Sequence, residues 1–258
     1  MPHMPRLRVV PLESIRRHEE IDPLRVDRLS QRIGSEGIQV NPMVCVEAAD
    51  GLLVLLDGAT RTESLKRLGL GDAVVQLVDP DTVTLGTWHH VIRGCSPDEL
   101  FAALAAAPGV SLLDAGAAPR VISRTGEERH VSGHSSSENA ALSALVATYV
   151  GRWDVTRATV ASPNVVEASF PDWAGIVEFP TLTVADVMTA AIDDDPLPAG
   201  ITRFQVPERA LRLNVPLSLL QNPVSQAVKQ ADLDALLEER ARAGRIRRYE
   251  EPVFVLDD

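Results

Sequence analysis

The chain has 258 residues and a formal net charge of −11. That balance excludes a protein built to coat nucleic acid, which needs dense Lys and Arg, while leaving room for one local basic patch. With 45% hydrophobic but only 4% aromatic residues, the core must be aliphatic, and the length allows one large domain or two small ones.

"LRVVPLESI" reads as a short strand running into a turn. In "HEEIDPLRVDRLSQRIGSEG", Asp22 can cap a helix with Pro23 at its first position. Val26, Leu29 and Ile33 give that helix an apolar stripe, and Gly34 and Gly37 end it. "NPMVCVEA" and "LLVLLD" are strands paired across "ADG". A helix follows from about Thr60 to Leu68, stopped by Gly69, and "AVVQLVD" is another strand. Residues 7–79 therefore read as a compact α/β unit. "TVTLGTWHHVIRG" is expected to be a strand with a glycine bend. "SPDELFAALAAAPG" is a helix with Ser96 as cap and Glu99 at the capping-box position. "RVISRTGEERHVSG" is a hairpin, and "SSENAALSALVATYVGRW" a helix. "ASPNVVEASFPDWAGIVEFPTLT" holds short strands and proline-rich turns, and "TVADVMTAAIDDD" is a helix. The chain continues with "LRLNVPLSLLQN", a helix around "QADLDALLEERARAG", and "EPVFVLDD" as a last strand.

The expected fold class is α+β. It divides into an α/β domain at residues 1–94 and a larger mixed domain at residues 95–258 that completes a cleft. No stretch has the length and purity of a membrane span, and the first residues carry no secretory apolar segment, so the expectation is a cytoplasmic protein. Cys45 lies in an apolar run and Cys95 follows a glycine. Both read as free thiols rather than as a disulfide or a zinc site.

"VLLDGATRTESLKRLG" concentrates chemistry. Asp57 ends a strand, Gly58 permits a tight turn or a close backbone approach, and Thr60 and Arg61 open the next helix. Free N–H groups at a helix start attract anions. An arginine beside them can clamp phosphate oxygens. Gly58, Ala59, Thr60 and Arg61 thus form a candidate phosphate cradle, unlike a Walker A loop or a GxGxxG turn. On spacing alone, an ordinary turn with a solvated arginine remains open.

Residues 10–78, through "VPLESIRRHEEIDPLRVDRLSQRI", "GIQVNPMVCV" and "VLLDGATRTESLKRLG", resemble the N-terminal domain of the ParB/sulfiredoxin superfamily. In that superfamily the Gly-x-x-Arg turn binds nucleotide phosphates. More narrowly, the His18-Glu19 pair, the "LDG" turn, "LGTWHHV", "LPAGITRF" and "ERALRLNVPL" look like the free L-serine kinases. The resemblance implies phosphoryl transfer from ADP or ATP, with Mg²⁺, to free L-serine, giving O-phospho-L-serine. Such a product would feed cysteine or 2,3-diaminopropionate synthesis. Kinases of this type often carry a histidine where this chain has Thr60.

The resemblance implies Glu19 as general base, with His18 orienting it or binding phosphate. It places Asp57 in the active cleft, as a ligand or water-mediated ligand of Mg²⁺ or as the cap of the turn. "LGTWHHV" would line the substrate side. If it is a strand, alternation puts Trp88 and His90 on one face and His89 on the other. Thr202 and Arg203 follow the flexible "LPAG", and Arg203 is the first choice for reading the serine carboxylate, ahead of Arg209 and Arg212. "GRIRRYEEP" is a basic cluster of the solvated kind. The alternative is a ParB-like nucleotide-binding regulator or DNA-binding protein without kinase activity. It would require a helix-turn-helix, and the region after Gly94 is not basic enough to suggest one.

Overall fold

The computed structural model describes residues 4–48, 51–117, 119–133 and 137–249, so the expected strand "EPVFVLDD" lies outside the described residues. Five early strands form the first sheet: β1 (Arg6–Pro11), β2 (Ile15–Arg17), β4 (Met43–Glu47), β5 (Leu53–Asp57) and β6 (Asp72–Leu77). Their order is β1-β6-β4-β5-β2, and the two-residue β3 (Ile38–Gln39) stands outside it. The pairs β1/β6 and β4/β5 are antiparallel, whereas β6/β4 and β5/β2 are parallel.

Helices α1 (Pro23–Glu36) and α2 (Ala59–Arg67) belong to this unit. Asp22 caps α1, accepting from the Leu24 N–H at 2.9 Å, and Pro23 occupies the first turn, where a missing N–H costs nothing. Gly37 ends the helix in the left-handed region at φ 66°. Small residues let α1 and α2 approach closely. Ser30 and Ser64 both donate to the Val26 carbonyl, at 2.8 and 3.3 Å.

The second sheet is antiparallel throughout. The chain enters this region through β7 (Thr84–Thr87) and continues as β8 (His89–Arg93), α3 (Pro97–Ala106), β9 (Val110–Leu113), β10 (Arg120–Ser123) and β11 (Glu128–Gly133). It goes on as α4 (Glu138–Ala147), β12 (Asp154–Ala158), α5 (Pro163–Ser169), β13 (Trp173–Glu178) and α6 (Val184–Ile192). The sheet order is β12-β8-β13-β10-β11-β9. Next, β14 (Thr202–Gln205) pairs with β7, and β15 (Val215–Pro216) pairs with β3. Helices α7 (Leu217–Gln221) and α8 (Gln226–Arg242) complete the described chain. The α+β class holds, as does the capping box of α3, in which Ser96 and Glu99 satisfy each other's N–H groups.

Three sequence expectations need correction. First, "TVTLGTWHHVIRG" is two strands, not one. Trp88 falls between them and donates its N–H to the Ile201 carbonyl at 2.8 Å, and β7 and β8 enter different sheets. Second, α5 is a helix where strands and turns were expected. Ser162-Pro163 is a helix start, and the surrounding prolines masked it. Third, a boundary at residue 94 would cut β8 out of its sheet. Moreover, Leu213, Val215, Leu217, Leu220 and Leu233 return to pack with Leu7, Val9, Leu53 and Leu55 of the first lobe.

The near-continuous apolar runs of β4 and β5 have the same origin. Met43, Cys45, Leu53 and Leu55 face the helical core of the first lobe, while Val44, Val46, Val54 and Leu56 join the core that continues through α3, α4 and α6. A strand buried on both faces has no polar side to show. The first sheet is thus itself the wall between two cores, and the lobes share it. Cys45 and Cys95 are free thiols, the former buried, as expected.

Candidate functional site

A cleft of about 1080 Å³ opens between the lobes where β5 ends and α2 begins. Helix α1 and the segments 199–205 and 209–214 also line it. The chain is acidic overall, yet eight arginines line this cleft against five carboxylates. Such a concentration suits a polyanionic ligand.

On the first-lobe wall the β4/β5 ladder slips. Val44 opposes Asp57 while Cys45 opposes Leu55, and such a bulge re-aims the strand end. Asp57 Oδ2 receives Arg209 Nη1 at 2.7 Å and lies 3.6 Å from Arg61 Nη2. Gly58 sits at φ 110°, and a Cβ there would meet Met43 Cγ at 2.8 Å and Arg61 Nη2 at 2.9 Å. Glycine is therefore required twice, by conformation and by space. No side chain caps α2, so the first N–H groups of that helix, from Ala59, Thr60 and Arg61, remain available beside the cleft. Arg61 donates to the Pro42 carbonyl at 3.3 Å, but its buried Nε has no partner. Burial pulls its guanidinium pKa below the usual value, opposed by Asp57 and assisted by Arg209. An anion in the cleft would relieve both costs.

Helix α1 adds Arg25, Arg28 and Arg32 to the same cleft. They share one helix face at spacings of three and four. In the sequence only the apolar stripe of that helix is read, and these arginines are not singled out. The signal was present nonetheless: Arg28 and Arg32 are like charges at i,i+4, an arrangement that weakens a helix unless something compensates.

His18 and Glu19 are neighbours with opposite surroundings. His18 is 1% exposed. Its Nδ1 lies 2.6 Å from the Leu55 carbonyl, which can only accept, so Nδ1 carries the proton. Nε2 then accepts from the Thr202 hydroxyl at 3.1 Å. Burial lowers its pKa, against the pull of Glu19, the Leu55 carbonyl and Asp57. His18 is thus a neutral tie between the lobes, and the expectation that it might touch phosphate is corrected. Glu19 reaches the cleft, where its Oε2 accepts the Gly200 N–H at 3.1 Å. The backbone N–H of Glu20 is spent on the Leu197 carbonyl at 2.8 Å, and its exposed side chain stands at the rim.

On the second-lobe wall, Trp88, Thr202 and Arg203 all line the cleft. The Arg203 guanidinium lies over the Trp88 ring, 5.1 Å from its centroid. His90 does not join them. It is buried, 2.8 Å from the Tyr149 hydroxyl and edge-on to Phe179, and burial depresses its pKa to about 4 despite the Gly200 backbone. The strand break at Trp88 defeats the alternation that put the two on one face. Arg157 of β12 lines the cleft beside Gly200. Nothing in "VTRAT" marks it in the sequence.

Of the roles expected for Asp57, the cap is not made, since no side chain caps α2 and its carboxylate pairs with Arg209 and Arg61 instead. Among the described residues, no group of three or more His, Cys, Asp or Glu side chains is placed to hold a metal ion. The donor set does fit a hard cation bound by one carboxylate and completed by phosphate oxygens and water.

No family model matches the chain. Over 228 residues it is 23% identical to the ATP-dependent L-serine kinase SbnI of Staphylococcus aureus, covering 83% of this chain and 84% of that protein. The structure of SbnI with a C-terminal truncation from the same organism superposes with a TM-score of 0.73 at 21% identity, covering 91% of this chain and 97% of that one. A free serine kinase in complex with AMP gives a TM-score of 0.73 at 15% identity, covering 84% and 95%. The resemblance read from the sequence is matched by these likenesses, and the chain has their fold.

Proposed function

We propose that this chain transfers a phosphoryl group from ATP or ADP to the hydroxyl of free L-serine, forming O-phospho-L-serine. The observation that carries the reading is one cleft in which Glu19, the Gly58–Arg61 turn and Trp88 converge between the lobes. The SbnI likeness, which spans most of both chains, supports it.

In this reading the N–H groups of Ala59, Thr60 and Arg61 and the Arg61 guanidinium cradle the donor's phosphates. The α1 arginines add positive potential along the same side. Phosphoryl transfer depends mostly on placement and on spreading negative charge, and this wall supplies both. Asp57 would hold Mg²⁺ together with phosphate oxygens. The ion, when bound, neutralises charge on the transferring group. Arg209 then has two partners to choose between, Asp57 and phosphate.

Glu19 accepts the proton of the serine hydroxyl. The Gly200 N–H holds one carboxylate oxygen and leaves the other for substrate. His18 fixes the backbone beneath Glu19 through Leu55 and Thr202. Trp88 and Arg203, stacked, wall the serine side and help to exclude water, which would otherwise compete as acceptor.

The test is an incubation of purified protein with Mg²⁺, L-serine and either ATP or ADP, read by mass spectrometry. O-Phosphoserine with at least one donor supports the reading. Its absence with both, in protein shown to be folded, overturns it.

A further inference from the structure

We infer that Arg157 reads the carboxylate of the serine substrate and is the residue that sets specificity for an amino acid. The inference rests on the serine-kinase reading and adds the recognition element that reading leaves unassigned.

The chemistry narrows the search. In serine the hydroxyl oxygen and the carboxylate carbon are separated only by the β- and α-carbons. A group that reads the carboxylate while Glu19 holds the hydroxyl must therefore sit immediately beside Glu19. It should be a cation, and a guanidinium suits a carboxylate because its paired donors match two oxygens.

Several cleft arginines have other engagements. Arg61 and Arg209 are drawn to Asp57. Arg203 lies over Trp88. Arg32 faces Glu36 at 3.9 Å on the far turn of α1. Arg157, like Arg25 and Arg28, lines the cleft with no ion pair or side-chain hydrogen bond among the described residues, and what separates it from those two is its seat. It packs directly against Gly200, the residue whose N–H holds Glu19. A Cβ on Gly200 would lie 2.7 Å from Arg157 Cζ and closer still to Nη2, and φ there is 84°. Only glycine allows the guanidinium that position. Arg157 also lies within electrostatic reach of Glu19 and of Arg25. One glycine thus holds the base on its N–H and seats the cation against its α-carbon, a spacing of the kind serine requires.

The experiment compares L-serine with L-serinamide, whose neutral amide replaces the carboxylate, in the parent and in R157M, R157K, R25M and R203M. The parent should prefer serine by about 100-fold in kcat/KM, the effect of one desolvated bidentate pair. R157M should bring the two substrates within a few fold of each other. The change should appear as a raised KM for serine, with serinamide turnover and the KM for nucleotide unmoved. R157K keeps the charge but not the fork and should fall between. R25M and R203M, whatever their rates, should keep the parent's preference. A merely structural role for Arg157 would depress both substrates together. Calorimetry with nucleotide verifies folding, and R157Q replaces R157M if the latter does not fold. A parent preference that survives in R157M, or that is lost in R203M instead, overturns the inference while leaving the kinase reading intact. A parent that phosphorylates neither substrate overturns both.

Discussion

On the first-lobe wall of the cleft, Asp57, Gly58 and Arg61 are neighbours in the chain as well as in space. On the second-lobe wall, Trp88, Arg157 and Gly200 come from a strand break, an edge strand and a loop far apart in sequence. The first wall is one turn, fixed by a glycine that admits no Cβ, and its arginines are already bound to a carboxylate. The second wall exists only because β7 pairs with β14 and β12 pairs with β8. Phosphate binding, which asks only for N–H groups and positive charge, can be carried by a local motif. Recognition of a small substrate needs groups on several sides and must wait for the tertiary fold.

Four perturbations separate the walls, beginning with the largest effect. Glu19 joins them, since it leaves the first sheet and is held by Gly200. Glu19→Gln should lower turnover by roughly 10²–10⁴-fold, the range for a positioned acid or base, with little change in the binding of nucleotide or serine. Glu20→Gln should stay within a few fold of the parent. Paired steady-state kinetics decide it, and a crippled Glu20→Gln would move the base to the rim.

Arg61→Ala acts on the first wall alone. Calorimetry should show nucleotide binding weaker by about 10–100-fold, as expected when a charge-assisted contact is removed. An unchanged affinity would shift the phosphates to the α1 arginines.

Gly58→Ala tests whether the turn is built for Arg61. The positive φ and the contact with Met43 should cost about 1–3 kcal/mol of stability in urea unfolding. Gly71→Ala is the control. A Cβ there meets nothing within 4 Å, so that variant should unfold near the parent midpoint.

The last effect concerns His90, the residue that stands behind the second wall rather than on it. Its pKa is about 4 in the fold against 6.5 as the ordinary value. The unfolded chain therefore binds more protons between those limits, and stability rises with pH through that window and levels off above it. Lowering the pH from 7 to 5 should cost about 2 kcal/mol from this group, and buried His18 contributes with the same sign. Urea midpoints at the two pH values check it, and His90→Gln should flatten the slope in part.

Much of the fold was legible because its signals are local. Asp22-Pro23 starts α1, Ser96 and Glu99 box α3, and the apolar runs of β4 and β5 announce buried strands. Legibility failed where a local pattern had two meanings. "LGTWHHV" alternates like one strand, but the chain changes sheets at Trp88, which sends His90 into the core beside Tyr149. His18 and Glu19 look equally polar in sequence. Only the pairing of β2 with β5 decides that the imidazole turns inward to Leu55. Arg157 had no sequence signal, because its role depends on Gly200 arriving opposite it.

The measurement that tests the account most directly is phosphorus NMR of the parent protein with nucleotide, Mg²⁺ and L-serine labelled with ¹⁸O in the hydroxyl. Attack by that oxygen predicts a serine-dependent phosphomonoester resonance bearing the isotope shift of a labelled bridge. Nucleotide consumed only to inorganic phosphate, at the same rate with and without serine, would contradict it.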